Sequence, residues 1–331
     1  MKINQIRPDD LMAGQAAAMQ KDLDWLAARK ESFVDVPCPV CGTIARRPLY
    51  EKFGLDHNLC EECGTQYVSP RPTAEILGAF YAGSENYRYW AKHIFPASRE
   101  ARRTGIFQPR AAIVADLMRR HGLAGGALVE VGAAHALFCD EIRKLDLFDR
   151  LVAIEPTPDM AAECRELGFE TIEAPWENVS LDTPVQVVAA FEVIEHLFDP
   201  GAFLHWCHAN LVADGYVLFT CPNIAGFETI LLGKASGAVD HEHINLFTPQ
   251  SLCRLIQSCG FDVVECSTPG ELDVELVRRG LETGDVEATS LGPVLAQLVT
   301  HPDAEVAHNL QNLLKLACLS SNMMVLARKR A

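Results

Sequence analysis

The sequence predicts an α/β fold: a doubly wound, mostly parallel sheet, with a small cysteine-rich module before it and a helical cap near the C-terminus. Three observations carry this prediction. From residue 127 onward, short apolar runs alternate with helical patterns, as expected for strands that helices cover on both faces. Two Cys-x-x-Cys pairs precede that region. Residues 268–320, between the last two apolar runs, are too many for a turn.

The predicted strands are apolar runs bounded by Gly, Pro or Asp. In chain order they comprise residues 127–131, 151–154, 185–191, 216–220, 261–265 and 323–328. Helical patterns at 136–147 and 159–167 separate the first of them. Residues 272–281 and 304–316 also have helical spacing, so we interpret the insertion at about 268–320 as the helical cap.

Composition limits the partners of the chain, whose 331 residues include 29 basic and 44 acidic side chains. A nucleic-acid partner is disfavoured because acidic residues predominate from His121 onward. Eight Lys/Arg cluster within residues 88–120 against Glu100 and Asp116. This cluster is either a solvated helix face or a receptor for one or two phosphates of a small molecule.

The sequence also predicts where the protein resides. No stretch approaches the roughly 18 apolar residues that a membrane span needs. The N-terminal region lacks the basic start and apolar run of a signal peptide. We therefore expect a cytoplasmic protein without a membrane partner, and either a monomer or a homodimer.

The two cysteine pairs have the spacing of a metal site. Their members are Cys38, Cys41, Cys60 and Cys63. A two-residue gap lets both sulfurs of a pair reach one ion, and two such turns complete a tetrahedral site. Gly42 and Gly64 follow the pairs, where a tight turn needs a positive φ. Four thiolates leave no open coordination position, which favours a structural zinc; redox dithiols are the alternative.

These features divide the chain into four predicted regions. Residues 1–35 are an N-terminal helix, and residues 36–72 are the four-cysteine zinc-binding knuckle. Residues 73–122 are an aromatic-rich helical linker that serves as a substrate lid. Residues 123–331 form the sheet domain, with the helical insertion at about 268–320.

A candidate ligand site lies where the first two sheet strands end. The first ends with Glu130 and Gly132, and Glu155 ends the second, where doubly wound folds place a carboxylate that binds a ribose diol. A dinucleotide site would need Gly-x-Gly-x-x-Gly to admit a pyrophosphate. Here Ala134, Ala136 and Glu130 would meet that group, so a cationic ligand with an amino-acid tail fits better.

At these residues the sequence resembles the class I S-adenosylmethionine-dependent methyltransferases. Glu130 and Gly132 match the family's acid-x-Gly motif, and alanines stand at 134 and 136 where glycines are usual. Three further segments match in order: residues 191–200 resemble E-V-x-E-H-x-x-D-P, residues 221–223 a Pro-Asn pair, and residues 240–248 E-H-x-x-x-F-T. The resemblance runs from about residue 36 to the end and implies a seven-stranded sheet.

The cysteine knuckle brings the resemblance closest to a branch that includes nucleotide-sugar C-methyltransferases. It implies S-adenosyl-L-methionine as methyl donor, a structural Zn²⁺, and a small-molecule acceptor such as a nucleotide-diphospho-sugar of polysaccharide biosynthesis. The donor site that it implies comprises Glu130, Gly132, Ala133, Ala134, Glu155, Pro156, Trp176, Phe191 and Glu192. For Trp176 the alternatives are stacking on adenine and packing in the core.

The predicted catalytic residues are His243, Glu242 and His196. Histidine suits proton removal because its pKa lies near working pH, and the resembling enzymes imply a Glu-His pair at 242–243, with His243 as base. Its alternative role is to hold backbone carbonyls of its loop. His196 either orients the acceptor or caps the helix that begins near Asp199. The predicted substrate residues are Tyr81, Tyr87, Asn223 and His241, with packing as the alternative for the tyrosines.

Three other functions compete with this hypothesis. An RNA methyltransferase with a zinc module should be basic there, but residues 1–72 hold nine basic and ten acidic side chains. O-methylation of a quinone or phenol agrees with the E-V-x-E-H motif but does not require the knuckle. A binding module without catalysis is supported only by the two alanines of the first motif.

Overall fold

The structure, a computed structural model, describes residues 3–122 and 125–330. Three of the predicted region boundaries, at residues 1, 123 and 331, lie outside the described residues. The strands are β1 Arg46–Lys52, β2 Leu55–Cys60, β3 Gln66–Val68, β4 Ala127–Val131, β5 Arg150–Ile154, β6 Glu170–Ile172, β7 Val185–Phe191, β8 Leu211–Pro222, β9 Asn245–Leu246, β10 Phe261–Ser267 and β11 Asn322–Lys329.

The helices surround these strands and also fill the linker and the insertion. They are α1 Ile3–Ile6, α2 Met12–Ala27, α3 Ala74–Gly83, α4 Glu85–Tyr89, α5 Phe95–Arg102, α6 Gln108–Arg120, α7 Leu137–Arg143, α8 Pro158–Glu166, α9 Pro200–Asn210, α10 Phe227–Leu232, α11 Pro249–Ser258, α12 Asp273–Thr283, α13 Ala288–Val299 and α14 Ala304–Leu316. Within the described ranges, none of these helices has the length and apolar character that a bilayer crossing requires.

The main sheet has seven strands in the order β10-β11-β8-β7-β4-β5-β6. Strands β4 to β8 are parallel, and β11 is antiparallel to both of its neighbours. The predicted fold class, a doubly wound and mostly parallel sheet, is confirmed. The strand order reverses between β4 and β7, and open α/β sheets bind ligands in the crevice at such a switch point.

Side-chain alternation along the central strands builds a core on each face of the sheet. In β7, Val187 and Ala189 pack against α6 and α7, whereas Val188 and Ala190 join the core that contains Phe203 of α9. Burial on both faces explains why these strands are continuous apolar runs. Strand β6 was not among the predicted runs because it is a sheet edge whose side chains are exposed or half-buried.

The N-terminal segments differ from the single helix predicted for residues 1–35. Pro8, with φ −59° and ψ 127°, separates α1 from a short 3-10 turn and α2. The carboxylate of Asp22 in α2 accepts hydrogen bonds from Ser84 Oγ at 2.6 Å and from the backbone N–H groups of Glu85 and Asn86. The N-terminal helix is therefore fastened to the start of α4 in the linker.

The cysteine module shares a sheet with the domain that follows it. Strands β1, β2 and β3 form an antiparallel sheet, and β9 from the main domain pairs with β3. The buried guanidinium of Arg71 donates to Asn245 Oδ1 at 3.0 Å and to the Phe198 carbonyl at 3.3 Å. These contacts hold the module against the loops at the carboxyl edge of the main sheet.

The helices α12, α13 and α14 lie between β10 and β11, where the insertion was predicted. Their apolar faces form a separate core with Leu231 and Leu232 of α10. Asp273 anchors the start of α12, because its carboxylate accepts hydrogen bonds from Gln311 Nε2 and the Ser321 backbone N–H.

Candidate active site and metal centre

A glycine turn follows β4 at the switch point of the sheet. Gly132 has φ 73°, and its N–H donates to the Ile154 carbonyl at 2.9 Å. A Cβ atom at this position would lie 2.8 Å from Cγ2 of Val193, which follows β7. Only glycine therefore combines this conformation with so close an approach of the β4 and β7 ends.

The two alanines of the first motif keep the conformation that glycine would take. Ala134 and Ala136 have φ 48° and 51°, in the left-handed region that costs an L-residue about 1–2 kcal/mol. The two alanines therefore add methyl groups to the loop, but they do not prevent its backbone turn.

The carboxylate of Glu155 closes the glycine turn. Its Oε2 accepts the Ala134 N–H and its Oε1 accepts the Thr157 N–H, each at 2.8 Å. Burial raises the pKa of Glu155, while these hydrogen bonds oppose the rise. Each oxygen has a second lone pair, so the carboxylate can still accept a hydroxyl group from a ligand. Pro156, the next residue, is exposed.

Glu130 lies below this turn in the protein interior. Its carboxyl group accepts a hydrogen bond from Cys139 Sγ at 3.1 Å, and burial raises its pKa to about 8. The group is therefore mainly neutral at pH 7. The structure places Glu130 as a support for the start of α7 rather than as an open carboxylate beside the turn.

Glu192 ends β7 on the other side of the crevice. Its φ of 56° is unusual for a non-glycine residue and is typical of functional sites. Its carboxylate accepts hydrogen bonds from Arg110 at 3.2 Å, Thr220 Oγ1 at 2.6 Å and Asn322 Nδ2 at 3.1 Å. The sequence prediction missed these three partners, since they come from α6, β8 and β11.

A second group, the histidine cluster, assembles at the same edge of the sheet. It comprises Glu195 and His196 after β7, residues 240–243 before β9, and Tyr81, Asn86 and Tyr87 of α3 and α4. The predicted residues Tyr81, Tyr87, His196, His241, Glu242 and His243 thus lie together. Asn86 and Glu195 are members that the prediction did not assign.

The tautomer of His243 follows from its contacts. Its Nδ1 lies 2.8 Å from the Ala238 carbonyl, which can only accept, so Nδ1 carries a proton. In the neutral ring Nε2 is then an unprotonated acceptor. Nδ1 thus holds a backbone carbonyl, as the alternative role of His243 predicted, while Nε2 can still accept a proton.

Carboxyl groups lie on both sides of this ring. Asp240 Oδ2 is 3.5 Å from Nδ1 of His243, and Glu195 Oε1 is 4.0 Å from Nε2. Glu195 is fully buried, neither of its oxygens has a hydrogen-bond partner in the described part of the chain, and burial raises its pKa well above the usual range. An unpartnered buried acid of this kind indicates a place where a ligand group binds.

His196 faces both the linker and His243. Its Nδ1 lies 3.2 Å from the Tyr81 hydroxyl, and its ring centroid lies 4.6 Å from that of His243. Burial, aided by the charge of His243, lowers its pKa to about 3. His196 does not cap the next helix: Asp199 does, since its Oδ1 accepts the Ala202 N–H at 2.9 Å.

Glu242 points away from His243 toward the linker. Its carboxyl group accepts a hydrogen bond from Asn86 Nδ2 at 3.0 Å and lies 3.3 Å from His241 Nε2. Burial and the charge of Asp240 raise the pKa of Glu242 to about 8. His241 packs edge-on against Phe80, so both of these residues connect the loop to the linker.

Three predicted site residues are placed elsewhere by the structure. The Asn223 amide is used within the fold, donating to the Ser320 carbonyl and accepting the Ala225 N–H. The Phe191 ring packs on Phe138 in the core. Trp176 packs on Phe203 and Trp206, which is the packing alternative. All three residues lie near strand ends, and these contacts within the fold are visible only in the structure.

The four cysteines of the knuckle converge on one point. Their sulfurs all lie within 4.8 Å of one another, with 3.5 Å between Cys38 and Cys63 and between Cys41 and Cys60. Four sulfurs at about 2.3 Å from a zinc ion would be about 3.8 Å apart, so this donor set fits. Gly42 and Gly64 have the predicted positive φ, 72° and 73°.

Comparison with known proteins agrees with this geometry. Residues 102–266 match a family described as a methyltransferase domain. The matched part, 165 of the 331 residues, is similar to a methyltransferase domain. Over 223 residues it is 26% identical to the C-methyltransferase NovU of Streptomyces niveus, a match that covers 65% of this chain and 48% of the relative.

A second relative of the methyltransferase domain is a ubiquinone biosynthesis O-methyltransferase of Cupriavidus pinatubonensis. It is 26% identical over 161 residues, which cover 44% of this chain and 63% of the relative. The chain thus spans less than two thirds of the length of either relative. The plantazolicin methyltransferase BpumL, solved in complex with a pentazolic desmethylPZN analog and SAH, has the same fold. Its TM-score is 0.51, with 12% identity over 77% of this chain and 95% of its own.

Proposed function

We propose that this protein transfers a methyl group from S-adenosyl-L-methionine to a small-molecule acceptor, with a nucleotide-linked sugar or glycan precursor as the acceptor class. The observation that carries the proposal is the fixed tautomer of His243. Its free Nε2 lies in the histidine cluster, at the same sheet edge as the glycine turn. A proton acceptor and a donor site thus share one crevice.

The glycine turn would hold the methyl donor. Gly132 allows the backbone to approach the amino-acid tail, and the Glu155 carboxylate has lone pairs for the ribose hydroxyls. Ala133 and Ala134 would line the same turn, and Glu192 would face the crevice from β7. The bound donor supplies an activated methyl group, so the protein's own task is alignment, exclusion of water and proton removal.

His243 would remove the acceptor proton through Nε2. The imidazolium that forms would be stabilised by Asp240, whose Oδ2 lies 3.5 Å from Nδ1. His196 is held neutral by burial and would orient the acceptor together with Tyr81. Glu242 would position the loop through Asn86 rather than exchange protons with the acceptor.

The knuckle would bind one structural zinc ion. Four thiolates saturate its coordination, so the metal would take no part in methyl transfer. Its role would be to stabilise the module that supports β9 and hence the loop before it.

O-methylation of a quinone or phenol is a second candidate. The ubiquinone biosynthesis relatives favour it, since the best covered of them matches 63% of its own length. The nucleotide-sugar class is supported by the sequence resemblance of the knuckle branch and by the longer match to a C-methyltransferase, over 65% of this chain.

A mass-spectrometric acceptor screen separates these candidates. The protein would be incubated with the methyl donor and panels of nucleotide-diphospho-sugars and of phenolic quinone precursors, with His243→Asn as a matched inactive control. We expect a gain of one methylene on a nucleotide sugar that the control lacks. A gain confined to phenols would establish the second candidate, and no gain on any panel member would contradict both.

A further inference from the structure

Two arginines from distant parts of the sequence meet at one indole ring. The guanidinium carbon of Arg102 lies 5.2 Å from the Trp90 ring centroid, and that of Arg7 lies 5.7 Å from the same centroid. Arg102 also lies over Phe95, at 4.7 Å. Two like charges therefore share one small region between the N-terminal segment and the linker.

Neither arginine has a carboxylate partner in the described part of the chain. Six of the eight cations in residues 88–120 are paired with carboxylates: Arg88, Arg99, Arg103, Arg110, Arg119 and Arg120. Arg102 instead donates to the Ile6 carbonyl and to Ser98 Oγ, both at 2.9 Å. Within residues 3–122 and 125–330, no carboxylate lies at ion-pair distance from Arg7 or Arg102.

The electrostatic surroundings of both guanidinium groups are unfavourable. Burial, with added repulsion from Arg7 and Arg110, lowers the pKa of Arg102 to about 10. Burial also lowers the pKa of Arg7, although more distant Asp240 and Glu228 oppose this. Part of Arg7 nevertheless stays exposed to solvent. A bound anion would relieve these costs.

The position of the two arginines relates them to the proposed reaction. A Cβ atom at Gly237 would lie 3.6 Å from Nη1 of Arg7. The Arg7 guanidinium group therefore contacts the loop that carries His243. Phe95, which Arg102 contacts, packs against His135 of the glycine turn, with 4.3 Å between the ring centroids and 40° between the ring planes. Arg7 thus contacts the loop that also carries the histidine cluster, and Arg102 contacts a ring that packs on the glycine turn.

We propose that Arg7 and Arg102, both in contact with Trp90, form a subsite for the phosphate or diphosphate group of the methyl acceptor. Guanidinium groups bind phosphate oxygens with paired hydrogen bonds, and the indole ring holds the two cations in place. The assignment to the acceptor rests on the proposed function, whereas anion binding itself does not require methyl transfer.

Calorimetric titration with inorganic pyrophosphate tests the subsite directly. We expect wild-type protein to bind pyrophosphate, and Arg7→Gln and Arg102→Gln each to weaken that binding by about tenfold or more, since hydrogen bonds to charged groups contribute about 1.5–3 kcal/mol. Lys92→Gln is the matched control, because it removes one exposed cation of the same segment and should change the affinity by less than about twofold. Arg7→Lys should recover part of the affinity.

Parallel titration with S-adenosylmethionine distinguishes the two anions that could bind. Its carboxylate offers similar chemistry, so a loss confined to donor affinity would assign the arginines to the donor and overturn the proposal. Absence of pyrophosphate binding by wild type, or an equal loss in Lys92→Gln, would overturn it as well. Because Arg7 is exposed, Arg7→Gln keeps the test valid even if Arg102→Gln does not fold.

These results can be separated from the fate of the proposed function. Pyrophosphate binding that depends on the arginines, together with no methylated product in the acceptor screen, would contradict the function and leave the anion site standing. Methylation of a nucleotide sugar with no effect of either arginine on its KM would contradict the subsite alone.

Discussion

The glycine turn and the histidine cluster, the two halves of the crevice, each contain a buried carboxyl group, but the two groups differ in their hydrogen bonds. In the glycine turn, Glu155 is 4% exposed and accepts two backbone N–H groups, whereas in the histidine cluster Glu195 is fully buried without a hydrogen bond in the described structure. The first arrangement is preorganised by the backbone of the two loops that follow β4 and β5. In the second arrangement the Glu195 oxygens have no hydrogen-bond donor in the described structure, as expected where the acceptor binds.

Among the variants that test this comparison, the largest effect on methyl transfer is expected at His243. Replacement by Asn should lower kcat for methyl transfer by about 10²–10⁴-fold, because a general base contributes that much. Donor affinity, which depends on the glycine turn, should change by less than about twofold. His205→Asn, on the exposed face of α9, is the control and should retain full activity. Full turnover in the His243 variant would remove it as the base.

The next largest effect concerns the zinc knuckle. Elemental analysis should find one zinc per chain, and Cys60→Ser should lose it and lower the free energy of unfolding by at least about 3 kcal/mol, because metal-binding energy becomes folding energy. Cys318→Ser, at an exposed thiol outside the module, should change that free energy by no more than about 0.5 kcal/mol. Equal destabilisation of both variants, or wild-type protein without zinc, would contradict the assignment.

A smaller, more selective effect is expected at the glycine turn. Gly132→Ala should weaken donor binding by about tenfold or more, because its Cβ would lie 2.8 Å from Val193 and force the crevice to shift. Gly168→Ala is a matched control: its φ of 81° is strained as well, yet nothing lies within 4 Å of the added Cβ. It should lose about 1 kcal/mol of stability and no donor affinity. Similar donor affinities in the two variants would contradict the assignment of donor binding to the glycine turn.

The last effect is on stability alone and does not involve ligand binding: Glu130 introduces a pH dependence of the unfolding free energy. Its pKa is raised to about 8, so its contribution is fully present below the unfolded value near 4.3 and is lost as pH rises through 8. Between pH 6 and pH 9, wild type should therefore lose about 2.7 kcal/mol of unfolding free energy relative to Glu130→Gln, because one pKa unit corresponds to about 1.4 kcal/mol. Chemical denaturation at both pH values measures this. Glu166→Gln, at an exposed side chain, should show the wild-type pH dependence.

Much of the fold and of the glycine turn could be predicted from sequence, because the relevant signals are local. A buried strand, the Gly132 turn and Glu155 at the next strand end follow one another within a short segment. The cysteine spacing likewise gave a set of residues whose sulfurs lie within 4.8 Å of one another. The edge strand β6 was not recognised because half-exposed strands lack a continuous apolar run.

The histidine cluster could be predicted only in part, since it joins distant segments. The contacts of Tyr81 with His196 and of Asn86 with Glu242 link residues far apart in the chain. A motif gives the position of a residue but not the direction of its side chain, so the internal hydrogen bonds of Asn223 and the core packing of Trp176 could not be predicted from the sequence. Glu195 belonged to a recognised motif, but its lack of partners is visible only in three dimensions.

Calorimetric titration of S-adenosylmethionine into wild type and Glu155→Gln tests the central claim most directly. We expect one donor site per chain in wild type and an affinity at least about tenfold lower in the variant, because a carboxylate accepts stronger hydrogen bonds from the ribose hydroxyls than an amide does. Absence of donor binding by wild type, or equal affinity in both proteins, would contradict the claim that the glycine turn and Glu155 form the donor site.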